Sequence, residues 1–304
     1  MTPSLSVPTP PELPHRAGFV ALVGRPNVGK STLLNQLLGQ KVAIVSPKPQ
    51  TTRTRILGIK TLPHAQMVFV DTPGLHQART LLSRRMVDTA QRAADDADLR
   101  LYVVDATDGI TAGDRHIVAL LRQNERPVCV VLNKIDRLQR NALLPLLAGI
   151  EQLLPGRDVV PVSALTGTNV PALLEQVVRL LPEGPSYYDA HTSTDQTERM
   201  LVQEVVREQI LLQLRAEVPY TVAVTVDRFE ERRSVTSIAA TIHVARDSQK
   251  GILVGAGGSR IKEIGRAARI ELEQMLGRRL YLELFVRVQE EWTTRLALLK
   301  EFGL

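Results

Sequence analysis

The chain is poor in cysteine. Cys129 is the only one among 304 residues, which excludes an intrachain disulfide. It lies in the apolar run 128–132 and reads as a small core side chain. The histidines, His15, His64, His76, His116, His191 and His243, stand singly, so no ligand set of zinc-site spacing exists. No apolar stretch reaches the ~18 residues of a membrane span. The opening MTPSLSVPTPPELPHRA lacks the apolar core of a secretory signal. These absences point to a protein of the reducing cytoplasm. Neither sign of charge dominates: 38 Lys and Arg face 32 Asp and Glu, a net +6. That mild excess permits a polyanionic partner without requiring one. With 44% hydrophobic and 23% charged residues the chain is not wholly disordered, and its length suits two domains.

Residues 1–17 hold Pro3, Pro8, Pro10, Pro11 and Pro14 and read as a solvated, extended tail. From Phe19 onward, short Val/Ile/Leu-rich runs alternate with helical stretches. The strands expected are 19–23, 67–70, 99–104, 128–132 and 159–162. The helices expected between them are 30–38, 82–94, 114–122, 142–153 and 170–181. Continuous apolar strands alternating with helices predict a mostly parallel α/β sheet with helices on both faces. Residues 18–184 form this unit, and 185–200, rich in Ser and Thr, read as a linker. Residues 201–304 form a smaller α+β unit. It has a helix near 197–215, strands at 221–229 and 235–245, a glycine cluster, a helix over 261–276, a strand over 280–288 and a terminal helix over 290–304.

Gly24-Arg25-Pro26-Asn27-Val28-Gly29-Lys30-Ser31 follows an expected strand and opens an expected helix. In that context G-x-x-x-x-G-K-S is a P-loop. Its backbone N–H groups turn inward to cradle phosphates, Lys30 neutralises them, and Ser31 ligates Mg²⁺, with Thr32 next in the helix. Asp71-Thr72-Pro73-Gly74 follows a second strand. There a carboxylate holds Mg²⁺ and the Gly74 N–H senses a γ-phosphate. Asn133-Lys134-Ile135-Asp136 follows a third. The Asp136 carboxylate matches the paired N1–H and N2 donors of guanine, which adenine lacks. Lys134 lies along the base and Asn133 braces the loop. Ser163-Ala164 follows the fourth strand and supplies a backbone N–H to the base.

In order and placement these segments resemble the motifs of the translation-factor class of GTPases. Gln50-Thr51-Thr52-Arg53-Thr54 is similar to that class's first switch, in which one threonine joins Mg²⁺. Thr51 and Thr52 both qualify, and Thr52 is preferred. Leu75 stands where many such GTPases carry a water-orienting glutamine, so either intrinsic hydrolysis is slow or another element supplies transition-state charge. Lys30, Asn27, Thr52 and Gly74 are the catalytic candidates. In GTPases similar to this one the P-loop asparagine coordinates K⁺, which implies K⁺ at Asn27. A loop-bracing amide is the alternative. Arg53 and Arg55 are further sources of charge, and otherwise read as exposed, solvated side chains.

Gly255-Ala256-Gly257-Gly258 joins the apolar segment 252–254 to a helix. The order helix, strand, strand, GXXG, helix, strand resembles a type II KH domain, whose loop clamps about four single-stranded nucleotides. Lys250, Arg260 and Lys262 lie closest, with Arg246, Arg266 and Arg269 beyond. Only Asp247 and Glu263 oppose them. The middle residues Ala256 and Gly257 carry no charge, so backbone amides and the flanking basic residues must hold the phosphates. Trp292 reads as a packing anchor for the last helix, with base stacking as the alternative.

A G domain followed by one type II KH domain resembles the bacterial Era family. That resemblance implies a Mg²⁺-dependent GTPase, with K⁺ as a further cofactor. It implies binding near the 3′ end of 16S ribosomal RNA and a role in 30S subunit assembly and rRNA maturation. It also implies a cytoplasmic monomer with peripheral attachment to the inner membrane. Two alternatives stand: an RNA-binding assembly module that uses GTP as a structural ligand, and a P-loop GTPase of tRNA modification.

Overall fold

A computed structural model describes residues 14–76, 78, 80–214 and 218–304. Most of the expected tail (1–13), Gln77 and Arg79 after the D-T-P-G segment, and 215–217 lie outside the described residues. The first sheet has the order β2-β3-β1-β4-β5-β6. Its strands are β1 (Arg16–Val23), β2 (Ile56–Leu62), β3 (Ala65–Asp71), β4 (Leu99–Asp105), β5 (Val128–Asn133) and β6 (Val159–Pro161). All pairings are parallel except β2 with β3.

Alternation along β1 divides the core. Val20 and Leu22 pack with α1 (Lys30–Leu38) and α5 (Val170–Leu180). Ala21 and Val23 pack with α2 (Leu81–Asp96), α3 (Ala112–Leu121) and α4 (Leu143–Leu153). Cys129 is fully buried in this core, which pushes its thiol up to about 12; the Asp158 charge adds to the shift. Capping boxes at Thr80/Ser83 and Thr111/Asp114 start α2 and α3 by satisfying otherwise orphaned N–H groups.

The second sheet, β7 (Val222–Glu230), β8 (Thr236–Val244) and β9 (Leu280–Val288), pairs antiparallel and then parallel. One face is covered by α6 (Glu198–Gln213), α7 (Asp247–Val254) and α8 (Ser259–Leu276). In α8 the stripe Ile264, Ala268 and Leu272 is fully buried. A short helix, α9 (Leu296–Glu301), follows. No helix among the described residues is long and apolar enough to cross a membrane.

The α/β class, the mostly parallel sheet and the KH unit agree with the expectation. Five local features differ. Strand β1 begins at Arg16, inside the expected tail, because Arg16 donates to the Leu181 carbonyl at 2.5 Å and bridges to Glu183. Strand β2 has no counterpart among the expected elements. As an antiparallel edge strand its ILGIKTL pattern is buried only along its first half. The expected linker is fastened to that edge: Ile59 N–H donates to the Ser193 carbonyl, and Thr194 Oγ1 to that of Leu57. The apolar segment before the glycines is the end of a helix, α7, which has no counterpart among the expected elements. The terminal helix is confined to six residues.

Candidate active site and nucleic-acid interface

The loops after β1, β3, β5 and β6 open at one edge of the first sheet. There they line a cavity of about 510 Å³. Gly29 caps α1 in a left-handed conformation, so the helix N-terminus faces the cavity with free N–H groups. Lys30 is buried, and its ammonium donates to the carbonyls of Gly24 (3.2 Å) and Arg25 (3.0 Å). Burial lowers its pKa to about 8, opposed by the Asp71 charge. A phosphate anion in the cradle reverses that penalty. Gly74 sits directly on the P-loop. A Cβ there would lie 2.5 Å from Pro26 N, so no side chain fits while the Leu75 N–H holds the Gly24 carbonyl.

Three oxygens converge beside the loop. Ser31 Oγ donates to Asp71 Oδ2 at 2.6 Å and lies 2.8 Å from Thr52 Oγ1. Thr52 Oγ1 is 3.3 Å from the same carboxylate oxygen. The other oxygen, Asp71 Oδ1, is buried without a partner. Burial raises the Asp71 pKa against the Lys30 charge and its hydrogen bonds. An all-oxygen set with an orphaned carboxylate oxygen fits a hard divalent cation. Thr51 instead turns to Ser46 Oγ and the Lys48 carbonyl, so of the two threonines it is Thr52 that joins the cluster. Thr72 is tied to the Leu22 carbonyl (2.9 Å), with Pro73 between it and Gly74.

At the opposite end, Asn133 Nδ2 donates to the Val28 carbonyl and its Oδ1 accepts the Ala164 N–H, both within 2.9 Å. Asn133 therefore ties the third motif to the P-loop and to the fourth. The Ala164 amide is engaged in that brace. Ser163 Oγ holds Asp136 Oδ1 at 2.6 Å, leaving Asp136 exposed at the cavity rim. Lys134 donates to the Asn27 carbonyl and to Asp105. Asp105, at the end of β4, is not singled out by the sequence. Its Asx turn to Thr107 fixes the carboxylate that positions Lys134.

One expectation about catalytic assistance changes, that for Arg53. Leu75 is buried in the core behind the loop, where its side chain faces apolar neighbours. The next residue, His76, hydrogen-bonds the Gly74 carbonyl through Nδ1 (2.7 Å), and its buried Nε2 has no partner. Asn27, at φ 66°, donates from Nδ2 to the Pro47 carbonyl and so braces the first switch. Arg53 is neither exposed nor aimed at the cavity. It is buried, donates to the Val222 (2.6 Å) and Tyr220 (2.9 Å) carbonyls, and lies over the Trp292 ring. Arg55 is exposed, as expected of a solvated charge. Thr54 stands between them and Gln50 lines the cavity at φ 62°. Ile44, Val45, Arg137 and Leu165 also line it outside the expected set; as non-motif side chains they carry no chemical signal in sequence.

The GXXG loop joins α7 to α8. A Cβ on Gly255 would lie 2.8 Å from that of Arg260, so the loop folds tightly onto α8. Beyond it a groove runs between α8 and β9, lined by Ile261, Lys262, Gly265, Arg266, Leu282 and Leu284. Basic α8 side chains border an apolar strand face, as expected for a groove that takes phosphates on one side and bases on the other. Gly265, missed from the sequence, keeps α8 close to β9: a Cβ there would lie 3.3 Å from Leu284. Lys250 and Arg260 are exposed around the loop, and Arg260 reaches back toward the Ile252 carbonyl at 3.5 Å. Ala256 and Gly258 complete the loop. Trp292 is fully buried and donates to the Thr221 carbonyl at 3.0 Å, which makes it the packing anchor.

The two sites touch through the first switch. Glu208 of α6 accepts the Val45 N–H at 2.7 Å and pairs with Lys41 at 2.5 Å. Lys41 also pairs with Glu271 of α8. Arg207 donates to the Thr51 carbonyl, next to Thr52. Lys48 donates to the carbonyls of Leu211 and Leu214, at the negative end of α6. Leu82 and Met86 of α2 pack with Ala223, Trp292 and Leu299.

A family profile described as a 50S ribosome-binding GTPase matches residues 19–134, and a KH-domain profile matches 217–293. GTPase Era of Syntrophus aciditrophicus is 47% identical over 95% of both chains. That of Geobacter metallireducens is 48% identical over 95% of this chain and 98% of its own. The chain belongs to the Era GTPase family. A crystal structure of Era in complex with MgGDPNP and nucleotides 1506–1542 of 16S ribosomal RNA superposes with a TM-score of 0.93. It is 41% identical and covers 95% of this chain and 99% of that one. A point variant of Aquifex aeolicus Era bound to GDP·AlF4⁻ gives 0.92 at 40% identity, with the same coverage. Membership of the Era family makes the first cavity that of a GTP hydrolase, and the profile's 50S description covers only part of the G domain.

Proposed function

We propose that this Era-family chain binds single-stranded RNA near the 3′ end of 16S ribosomal RNA and acts in 30S subunit assembly, with GTP occupancy controlling RNA binding. The carrying observation is the likeness, at a TM-score of 0.93, to an Era that holds 16S nucleotides and MgGDPNP together. In this reading the basic α8–β9 groove and the GXXG loop supply the RNA contacts, and the chain works as a cytoplasmic monomer with peripheral membrane attachment. Crosslinking in cells, with the bound RNA sequenced, tests the reading. Recovery of 16S 3′-end sequence supports it, and recovery of tRNA alone overturns it.

In the mechanism, the P-loop amides and Lys30 hold the β- and γ-phosphates, and Asp136 selects guanine. Ser31, Thr52 and Asp71 would hold Mg²⁺, which neutralises phosphate charge when bound. Thr52 is therefore ordered only with its loop in place, and that loop is the one α6 grips through Arg207 and Glu208. Ordering of the first switch by GTP transmits to the KH domain through these bonds, and RNA occupancy favours GTP in return. Arg207→Ala is expected to reduce the effect of GTP on RNA affinity at least about fivefold while leaving GDP affinity unchanged. Titrations of both ligands check it.

Asp136→Asn removes the acceptor pair for guanine and is expected to weaken GTP binding about 100-fold, the scale set by unpaired polar groups in a specific site. Competition between GTP and xanthosine triphosphate reads it. Because Leu75 is buried in the core, charge stabilisation must come from elsewhere, and we assign it to K⁺ at Asn27, whose amide also braces the first switch. Hydrolysis is expected to run faster in K⁺ than in Na⁺ at equal ionic strength. Equal rates would rule out a role for K⁺.

A further inference from the structure

A second cavity of about 220 Å³ lies where the start of β2, helix α2 and the end of the chain meet. Three arginines line it: Arg53 and Arg55 from the segment that leads into β2, and Arg85 from the helix. The hydroxyl-bearing Thr54 and Thr89 line it as well, and among the described residues no Asp or Glu does. Arg53 is only 4% exposed, and its Nε is buried without a partner. Its other nitrogens donate to backbone carbonyls, so no carboxylate pairs with it directly, and the Glu204 charge only partly offsets its burial. Burial, with the Arg207 charge adding to it, lowers its pKa to about 9. Arg85 already gives one N–H to an oxygen acceptor on the opposite wall, the Leu304 carbonyl. The side chains of Arg55 and Thr89 have no protein partner among the described residues. Three guanidinium groups and two hydroxyls thus make the cavity rich in donors and in positive charge, with the backbone oxygen of Leu304 held by Arg85.

We propose that this cavity is an anion site, separate from the GTP pocket and the α8–β9 groove, for a small free phosphate compound such as inorganic pyrophosphate. Its volume is below the roughly 300 Å³ at which pockets for cofactor-sized ligands begin, which favours a phosphate or diphosphate over a nucleotide. Guanidinium groups bind phosphoryl oxygens in pairs, and hydroxyls from Thr54 and Thr89 fit the remaining lone pairs. An anion here bridges the strand that leaves the first switch, the helix that follows the second, and the end of the KH unit. It strengthens the interface through which the two domains communicate.

The test uses the full chain saturated with Mg·GDP, so that the nucleotide pocket is filled. Pyrophosphate is titrated at constant ionic strength by calorimetry. One saturable site per chain is expected, weakened at least tenfold in Arg55→Gln and in Thr89→Val, both of which change partly or fully exposed side chains. Lys262→Gln, in the RNA groove, is expected to leave the affinity unchanged. Absence of saturable binding, equal affinity in both cavity variants, or loss in Lys262→Gln instead would overturn the proposal. An oligonucleotide without terminal phosphates is expected not to displace pyrophosphate; displacement would overturn the assignment to a free anion. GDP affinity is measured alongside, so a failure here is distinguishable from a failure of the GTPase reading.

Discussion

Lys30→Ala is expected to weaken GTP and GDP binding by on the order of 10²–10³-fold. Burial is the reason. The Lys30 ammonium lies at the floor of the P-loop, donating to the Gly24 and Arg25 carbonyls, and Asp71 is the charge that opposes its desolvation. Without an anion its charge is penalised, with a pKa lowered to about 8. Phosphate removes that penalty and gains charge-assisted hydrogen bonds in a water-poor cradle. Losing one member of a buried, hydrogen-bonded charge pair costs roughly 2–5 kcal/mol, and each 1.4 kcal/mol is about tenfold in affinity. The fold is expected to survive, since alanine suits a helix start and the core of α1 is formed by Leu33, Leu34 and Leu37. Equilibrium titration with a fluorescent GDP analogue, beside a thermal melt, measures it. Unchanged affinity would remove the phosphate role of Lys30.

Gly257→Asp is expected to weaken RNA binding by roughly 30- to 100-fold while sparing nucleotide binding and intrinsic hydrolysis. Gly257 sits at φ 57°, a left-handed conformation that aspartate tolerates better than most side chains. A Cβ there meets nothing within 4 Å, so the substitution costs little in packing. What changes is charge: a carboxylate at the tip of the loop faces the phosphate backbone, and like-charge contact costs several kcal/mol. Gly255 makes the contrasting case. There any side chain meets Arg260 at 2.8 Å, so Gly255→Ala distorts the loop itself. Filter binding of a 16S 3′-end oligonucleotide, with GTPase assays on the same preparation, separates the two effects. Loss of both activities in Gly257→Asp would point to misfolding and contradict the loop's role.

The phosphate and base motifs were legible because each is a fixed chemical requirement at the end of a buried strand, and buried strands announce themselves as unbroken apolar runs. The run 128–132 and the Asn133-Lys134-Ile135-Asp136 segment after it are one example. Strand β2 was not legible, because an edge strand half open to solvent has a mixed pattern. Helix α7 was hidden because its last residues, 252–254, are as apolar as a strand. In sequence Arg53 looks like a surface charge. Its burial depends on Trp292 and on the Tyr220 and Val222 carbonyls, partners far away in the chain whose approach no local pattern encodes. The same holds for Glu208 and Arg207, which look like ordinary charges on an amphipathic helix yet grip the first switch. Interdomain chemistry is set by which faces meet.

In the proposed mechanism, communication between the two pockets runs through the loop that α6 holds. The decisive measurement is calorimetry of a 16S 3′-end oligonucleotide binding to the full chain loaded in turn with Mg·GDP and with a non-hydrolysable GTP analogue. A coupling of about 1–3 kcal/mol corresponds to roughly 5- to 150-fold in affinity. Tighter RNA binding in the GTP-analogue state, within that range and reduced in Arg207→Ala, is the predicted result. Identical RNA dissociation constants in the two states would contradict it.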